Sequence, residues 1–165
     1  MIREIISGGQ SGADRAALDA AIFLNIPHGG WLPKGRKTED GPLPRRYALR
    51  ELHSGRYRER TEKNVITADV TLIFSFGPLS GGSALTEALA IRHDRPYLHI
   101  DFEHFTHYQA AVAVETWLLN QKSTIVNIAG PRASSEPRIY PAVYTVLMTV
   151  NWKKLRATTP DIPEK

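Results

Sequence analysis

The chain has 165 residues, of which 42% are hydrophobic and 23% charged, as in an ordinary folded domain rather than a disordered segment. It contains no cysteine, which excludes disulfides, thiolate catalysis and cysteine-ligated metal and fits a reducing compartment. The net charge of +4 favours anionic partners, and no apolar run approaches the roughly 20 residues of a membrane span. We therefore expect a cytoplasmic protein with one domain over residues 1–157 and a frayed tail over residues 158–165.

The first predicted elements are a strand, a tight turn and a helix. An apolar run over residues 2–7 ends at Gly8 and Gly9, and the apolar residues then follow a helical spacing over residues 12–24. A short strand over residues 28–32 is expected next.

The segment from Pro33 to Lys63 is dense in proline, glycine and arginine, which predicts a long loop with a helical turn or two over residues 47–52. Between Trp31 and Lys63 there are ten lysine or arginine residues and five acidic residues. A loop of this length inside a compact domain usually has a function. We expect it to close over the glycine turns as a lid, or to complete the site of a neighbouring subunit.

The second half of the chain predicts three further strands that alternate with helices. The run from Val70 to Phe76 is continuously apolar or β-branched, as expected of a parallel strand buried on both faces. The other predicted elements are strands over residues 97–101 and 124–129 and helices over residues 84–93, 106–119 and 141–155. This alternation predicts an α/β fold: a three-layer, Rossmann-like, doubly wound and mostly parallel sheet with helices on both faces.

The first candidate site is the turn that follows the first strand. Glycine lets backbone N–H groups approach a ligand, and the start of a helix adds partial positive charge, so this turn favours an anion. Its spacing matches neither the dinucleotide fingerprint nor the Walker loop. The alternative is a tight turn in which Asp14 only stabilises the helix start. The candidate binding residues are Gly8, Gly9, Gln10, Ser11, Gly12, Asp14 and Arg15.

The second candidate site is the glycine turn after the buried strand. Two glycines with flanking hydroxyl groups would form a phosphate-binding loop, with Thr86 and Glu87 in the first turn of the following helix. The alternative is a capped helix, with Ser83 as the N-cap residue and Thr86-Glu87 as a loose capping box. The candidate binding residues are Gly81, Gly82, Ser83, Thr86 and Glu87.

The third candidate site is a set of cationic residues near the ends of strands. Arg36 and Arg132 each carry a planar guanidinium that can bind an oxyanion at two points, and Lys34 and Gly130 lie beside them in the sequence. Solvated surface arginines are the alternative, and the sequence does not separate the two interpretations.

The sequence assigns no metal ligand and no catalytic residue. The six histidines lack the H-E-x-x-H arrangement, and no Ser-His-Asp set is recognisable from residue order or from an elbow motif. If the protein is an enzyme, Glu87 and Asp14 are the carboxylates with an acid–base role.

An ordered set of motifs resembles the molybdenum carrier family over roughly residues 5–140. These motifs are Gly8-Gly9-Gln10-Ser11-Gly12-Ala13-Asp14-Arg15-Ala16-Ala17-Leu18, Pro33-Lys34-Gly35-Arg36, Glu39-Asp40-Gly41, Arg60-Thr61 with Asn64-Val65, Gly81-Gly82 with Thr86, and Asn127-Ile128-Ala129-Gly130-Pro131-Arg132. The family is similar to a wider Rossmann-like group that includes the lysine-decarboxylase-like phosphoribohydrolases and DNA-processing protein A. The resemblance implies a homo-oligomer, dimeric or tetrameric, that binds molybdenum cofactor (molybdopterin) or molybdate.

One departure separates the chain from the phosphoribohydrolases, which carry a Pro-Gly-Gly-x-Gly-Thr-x-x-Glu motif. When Gly81-Gly82 is placed on its glycine pair, Ala84, Leu85 and Ala88 take the positions of glycine, threonine and the catalytic glutamate, and Glu87 is one residue early. This departure argues against the same hydrolysis, but it does not affect binding of a similar ligand.

Three functions follow from the sequence. The first is a non-catalytic carrier or sensor of a phosphate-bearing pterin or nucleotide-like small molecule. The second is an enzyme that cleaves a nucleotide or a nucleotide derivative. The third is a nucleic-acid-binding module that uses the basic face over residues 45–60, which ranks last because aromatic residues are not interleaved along it.

Overall fold

A computed structural model describes residues 1–157, so the frayed tail expected over residues 158–165 lies outside the described residues. The strands are β1 (Glu4–Ile6), β2 (His28–Gly29), β3 (Trp31–Leu32), β4 (Lys37–Thr38), β5 (Gly41–Pro42), β6 (Arg50–Glu51), β7 (Val70–Ser75), β8 (Tyr97–Asp101) and β9 (Ile125–Ala129). The helices are α1 (Ala13–Phe23), α2 (Tyr57–Thr67), α3 (Gly81–Arg92), α4 (His107–Leu119), α5 (Ile139–Thr149) and α6 (Trp152–Arg156).

Five strands form one sheet in the order β2-β1-β9-β7-β8, and every neighbouring pair is parallel. All six residues of β7 are buried, as predicted from its apolar sequence. Because all five strands run in the same direction, their carboxyl ends meet at one edge, where such sheets bind ligands.

Helices cover both faces of this sheet, which confirms the three-layer Rossmann-like α/β fold. Val70, Leu72 and Phe74 of β7 belong to the main hydrophobic core, which they share with α1, α4, α5 and α6. The alternate residues of a strand point the other way, so Ile73 and Ser75 lie on the opposite face, with α2 and α3. A smaller core there contains Val65 of α2 and Leu89 and Ala90 of α3.

The segment over residues 33–63 differs most from its prediction as a loop. It contains β6, which pairs in parallel with β3 just before the segment, the antiparallel pair β4-β5 and the beginning of α2. The helical turn predicted over residues 47–52 is wrong, because Arg50 pairs with Trp31 in a two-stranded sheet. Tyr47 and Leu49 instead enter a separate core with Leu18. Helix α2 has a weak apolar periodicity, because five of its first seven residues are charged.

Two other predicted elements are divided in the structure. The strand expected over residues 28–32 is divided at Gly30. The φ angle there is 124°, which residues other than glycine rarely adopt. The helix expected over residues 141–155 is divided into α5 and α6, and the Asn151 side chain accepts a hydrogen bond from the Lys154 amide at the start of α6.

Within residues 1–157, no helix is long and apolar enough to cross a membrane.

Candidate functional site

A cavity of about 450 Å³ opens at the carboxyl ends of β1, β7 and β9, on the side of the sheet that carries α2 and α3. This volume lies in the range of small-molecule sites. Its wall is formed by the first glycine turn, one face of α2, the end of β7, the start of α3 and the loop that follows β9. The sequence predicted this edge of the sheet as the binding region.

The second glycine turn lies open to the cavity. Gly81, Gly82, Ser83 and Thr86 all line it, and a Cβ added at Gly81 or Gly82 would meet no atom within 4 Å. Helix α3 begins at Gly81 with Ser80 as its N-cap residue, so the interpretation of Ser83 as the N-cap is wrong. Among residues 1–157, no acceptor binds the Gly81 or Gly82 amide, and the Ser80 side chain makes no capping bond. The two amides are therefore free for a ligand.

The first glycine turn is divided between the cavity and the protein interior. Gly8 and Gln10 line the cavity, whereas Gly9 packs against the side chains of Leu43 and Leu49, 2.9 and 3.0 Å from where a Cβ would stand. Gly12, with φ of 79°, packs against the backbone of the loop after β9, where a Cβ would overlap a carbonyl oxygen. Close packing therefore explains Gly9 and Gly12 without a ligand.

Ser11 of this turn also does not face the cavity, because its hydroxyl bonds with other residues of the protein. Its hydroxyl donates to the carboxylate of Glu39 and accepts from the amide of Ala133, 3.1 Å away.

Asp14 faces the cavity in a buried ion pair with Arg60. The Asp14 Oδ2 atom lies 2.9 Å from Arg60 Nη1, and the two side chains are only 9% and 13% exposed. The Gln10 amide also donates to Oδ2, at 3.2 Å. Burial raises the pKa of Asp14, and the Arg60 guanidinium opposes that rise. The pair gives the cavity wall both a cation and a carboxyl group whose pKa lies above its ordinary value.

Arg36 does not reach the cavity. Its guanidinium donates to the carbonyl oxygens of Leu43, Pro44, Tyr47 and Leu49, at distances between 2.8 and 3.3 Å. The side chain therefore stabilises the conformation of residues 43–49. The guanidinium has no free donors at the site, so it cannot bind an oxyanion there at two points.

Three other predicted residues also lie outside the cavity wall. Arg15 donates to the Gly9 carbonyl at 3.4 Å and stacks its guanidinium 5.3 Å from the centre of the Tyr47 ring. Glu87 accepts a hydrogen bond from the Tyr97 hydroxyl at 2.9 Å. Lys34 is exposed to solvent.

Gly130 and Arg132 line the cavity from the loop that follows β9. A Cβ at Gly130 would stand 2.6 Å from the Ala13 side chain and 2.8 Å from the Phe74 carbonyl oxygen, so this glycine allows close packing of α1 on the sheet. The Arg132 side chain is 54% exposed, and its Nε lies 3.7 Å from Glu39 Oε2.

The prediction from sequence missed the contribution of α2. Tyr57, Arg60, Thr61 and Asn64 line the cavity at the spacing of one helix face. That spacing would have identified them had the segment been read as a helix. Ser75 and Asn127, at the ends of β7 and β9, were likewise missed as site residues.

The described residues, 1–157, contain no group of three His, Cys, Asp or Glu side chains that could hold a metal ion.

Comparison with known proteins gives one family and one solved structure. The model of the Circularly permutated YpsA SLOG family matches residues 5–151. A crystal structure from Syntrophus aciditrophicus SB, named "Putative molybdenum carrier protein", is 49% identical and superposes with a TM-score of 0.89. The match covers 91% of this chain and 95% of that one. No curated protein matches the chain.

Proposed function

This chain belongs to the Circularly permutated YpsA SLOG family, and on that basis we propose that it is a carrier protein for a phosphate-bearing pterin or nucleotide-like ligand. Molybdenum cofactor is the candidate cargo, since the solved relative is named as a molybdenum carrier. The observation that carries the proposal is the pair of free Gly81 and Gly82 amides in a cavity that Arg60 also lines.

The start of α3 supports binding of the phosphate. The first amides of a helix carry partial positive charge, and here no side chain fills the space beside the two glycines. Ser80 and Ser83 add hydroxyl groups to the same wall, whereas the Thr86 hydroxyl donates to the Gly82 carbonyl oxygen at 2.9 Å. These groups suit the oxygens of a phosphate monoester, which accept several hydrogen bonds at once.

Two amide side chains in the cavity wall can recognise the ring of the ligand. Gln10 Oε1 accepts from the Ser11 and Glu39 amides, so its NH₂ group is the part that remains to donate. Asn127 donates to Thr71 Oγ1 at 3.3 Å, so its carbonyl oxygen remains to accept. A pterin or purine edge presents both donors and acceptors and fits this pair.

The metal of such a cargo would arrive already bound to its pterin. The chain has no cysteine and therefore supplies no thiolate ligand. Its role would be to hold the phosphate at Gly81 and Gly82 and to place the guanidinium of Arg60 or Arg132 near the anionic oxygens of the cargo.

Native mass spectrometry of protein purified without air from cells that make molybdenum cofactor tests the carrier proposal. We expect a bound mass equal to that of the pterin cargo, and the same spectrum reports whether the protein is a dimer or a tetramer. Purified protein should also bind a pterin phosphate in calorimetry without converting it. Protein that carries no small molecule and binds no phosphate ester would contradict the proposal.

A second candidate function is cleavage of a nucleotide, which one observation favours. Asp14 lies in the cavity wall with its pKa raised by burial, and such a carboxyl group can act as a general acid or base. Glu87 does not support this function, because it binds Tyr97 away from the cavity. Incubation with a panel of nucleoside monophosphates, with Asp14→Asn as the control, separates an enzyme from a carrier.

A further inference from the structure

The carboxylate of Glu39 is surrounded by hydrogen-bond donors from the body of the domain. Ser11 Oγ and the Ser134 amide both donate to Oε1, the latter at 3.2 Å. Ser134 Oγ donates to Oε2, and Arg132 Nε lies 3.7 Å from the same oxygen. The donors Ser11, Arg132 and Ser134, named here the Glu39 cradle, therefore bind both oxygens of an anion.

The cradle is held together without Glu39. The Ala133 amide donates to Ser11 Oγ at 3.1 Å, and the Ala13 amide donates to the Pro131 carbonyl at 3.2 Å. These bonds join the first glycine turn to the loop after β9. The donors therefore stay in place when the residue that fills the cradle leaves.

Glu39 belongs to a different element, the short hairpin over residues 37–42. This hairpin is the antiparallel pair β4-β5, with only two residues in each strand. The Thr38 hydroxyl donates to the Gly41 carbonyl oxygen at 2.6 Å, inside the hairpin. Outside the cradle, the Glu39 amide donates to Gln10 Oε1 at 2.9 Å. With so few strand bonds of its own, this hairpin is the element that would move as a unit when the cradle opens.

We propose that Ser11, Arg132 and Ser134 form an oxyanion site that Glu39 fills in the closed protein and that a free tetrahedral oxyanion takes when the hairpin lifts away. Phosphate and molybdate share the required chemistry: negative charge and oxygens that accept from hydroxyl, amide and guanidinium donors. The site adjoins the main cavity because Arg132 lines both. It is separate from the Gly81 and Gly82 amides, so it does not rest on the proposed carrier function.

The charge of Glu39 agrees with this assignment. Desolvation alone would raise the pKa of Glu39, but the hydrogen bonds from Ser11 and Ser134 outweigh it and lower the pKa below its ordinary value. The cradle therefore stabilises a negative charge, which is the property that an oxyanion site needs.

The test compares anion binding to Glu39→Ala with binding to Asp40→Asn. Both variants lose one negative charge from the same hairpin, but Asp40 is exposed and only Glu39 fills the cradle. Inorganic phosphate and molybdate are titrated separately while amide chemical shifts of Ala133, Ser134 and Gly82 are followed by NMR. For Glu39→Ala we expect shifts at Ala133 and Ser134 and affinity about tenfold or more above that of Asp40→Asn.

Three outcomes would overturn the proposal: no shift at Ser134 in folded Glu39→Ala, shifts at Gly82 alone, or equal affinity in both variants. Shifts at Gly82 alone would still support the carrier function, so failures of the two proposals are distinguishable. If Glu39→Ala does not fold, Glu39→Gln removes the charge and replaces one of the two acceptor oxygens with an NH₂ donor, which weakens its hold on the cradle. Tighter anion binding by Glu39→Gln than by Asp40→Asn is then the required result.

Discussion

The turns that follow β1 and β7 are alike in sequence, since each carries glycines between a buried strand and a helix, but they differ in what surrounds the glycines. At the first turn, added Cβ atoms at Gly9 and Gly12 would press against side chains or backbone of the protein itself. At the second turn, added Cβ atoms at Gly81 and Gly82 would meet open space. Glycine thus permits close packing of the chain in one case and leaves room for a ligand in the other.

The largest expected effect is on folding, at the first turn. Gly12→Ala places a Cβ against the Pro131 carbonyl at φ of 79°, and strain plus overlap should lower the free energy of unfolding by about 4 kcal/mol. The matched change at the second turn, Gly82→Ala, should leave it within about 0.5 kcal/mol. Urea denaturation measures both. Similar losses in the two variants would remove the distinction between the turns.

The next effect concerns the ion pair that joins the first turn to α2. Arg60→Met leaves the Asp14 carboxylate buried without its cation, which should cost about 3 kcal/mol near neutral pH. The matched control is Arg56→Met, because Arg56 pairs with Glu59 at the surface, where the side chains are 81% and 46% exposed. That change should cost no more than about 0.5 kcal/mol.

The loss in Arg60→Met should depend on pH. Burial already raises the pKa of Asp14 above its ordinary value, so the folded state binds the proton more tightly than the unfolded state does. Such a group stabilises the fold below its unfolded pKa, and that contribution is lost as the pH rises through the folded pKa. The deficit of the variant should therefore shrink as the pH falls from about 8 to about 5. Denaturation at a series of pH values checks this, and a constant deficit would contradict it.

A smaller effect, on binding, is expected at the second turn. Gly82→Val should weaken binding of a pterin phosphate or nucleoside monophosphate by about tenfold or more, because the branched side chain separates the ligand from the free amides. Gly55→Val is the control, since Gly55 also has open space beside it and does not line the cavity. Calorimetry with folded protein gives the answer, and unchanged affinity would exclude the turn from the site.

The smallest effect is expected at the loop after β9. Arg132→Lys keeps the charge but loses the planar fork, and it should weaken phosphate-ester binding by about threefold. Arg92→Lys, an exposed change in the last turn of α3, serves as the control. Equal affinity of Arg132→Lys and the wild type would show that only the positive charge matters at this position.

Most of the main sheet and its helices could be predicted because their sequences carry one strong periodicity. β7 is continuously apolar, and Ala17, Leu18 and Ala21 repeat at the period of α1. The two cavity glycines were found for the same reason, since they stand between a clear strand and a clear helix.

The elements over residues 33–63 could not be predicted, because tertiary contacts decide them. Each strand there has two residues and pairs with only one other strand, which is too short for a pattern of its own. In helix α2, the buried residues Asn64 and Val65 follow a run of mostly charged residues, so its buried face gives no clear apolar pattern. With α2 read as a loop, Arg60 was noted only within the family motif Arg60-Thr61 and among other basic residues, and it was not assigned to the site.

By itself the sequence determined the parallel three-layer fold and the edge of the sheet at which a ligand would bind. The apolar patterns of the buried strands and helices predict the fold, and the glycine turns at the ends of the strands mark the edge. Only the tertiary structure decided how similar residues are used. Arg36 binds four carbonyl groups, whereas Arg60 pairs with Asp14 in the cavity. A guanidinium or a glycine has the same properties at every position, and the atoms that the fold places within reach determine whether it packs, pairs or remains free.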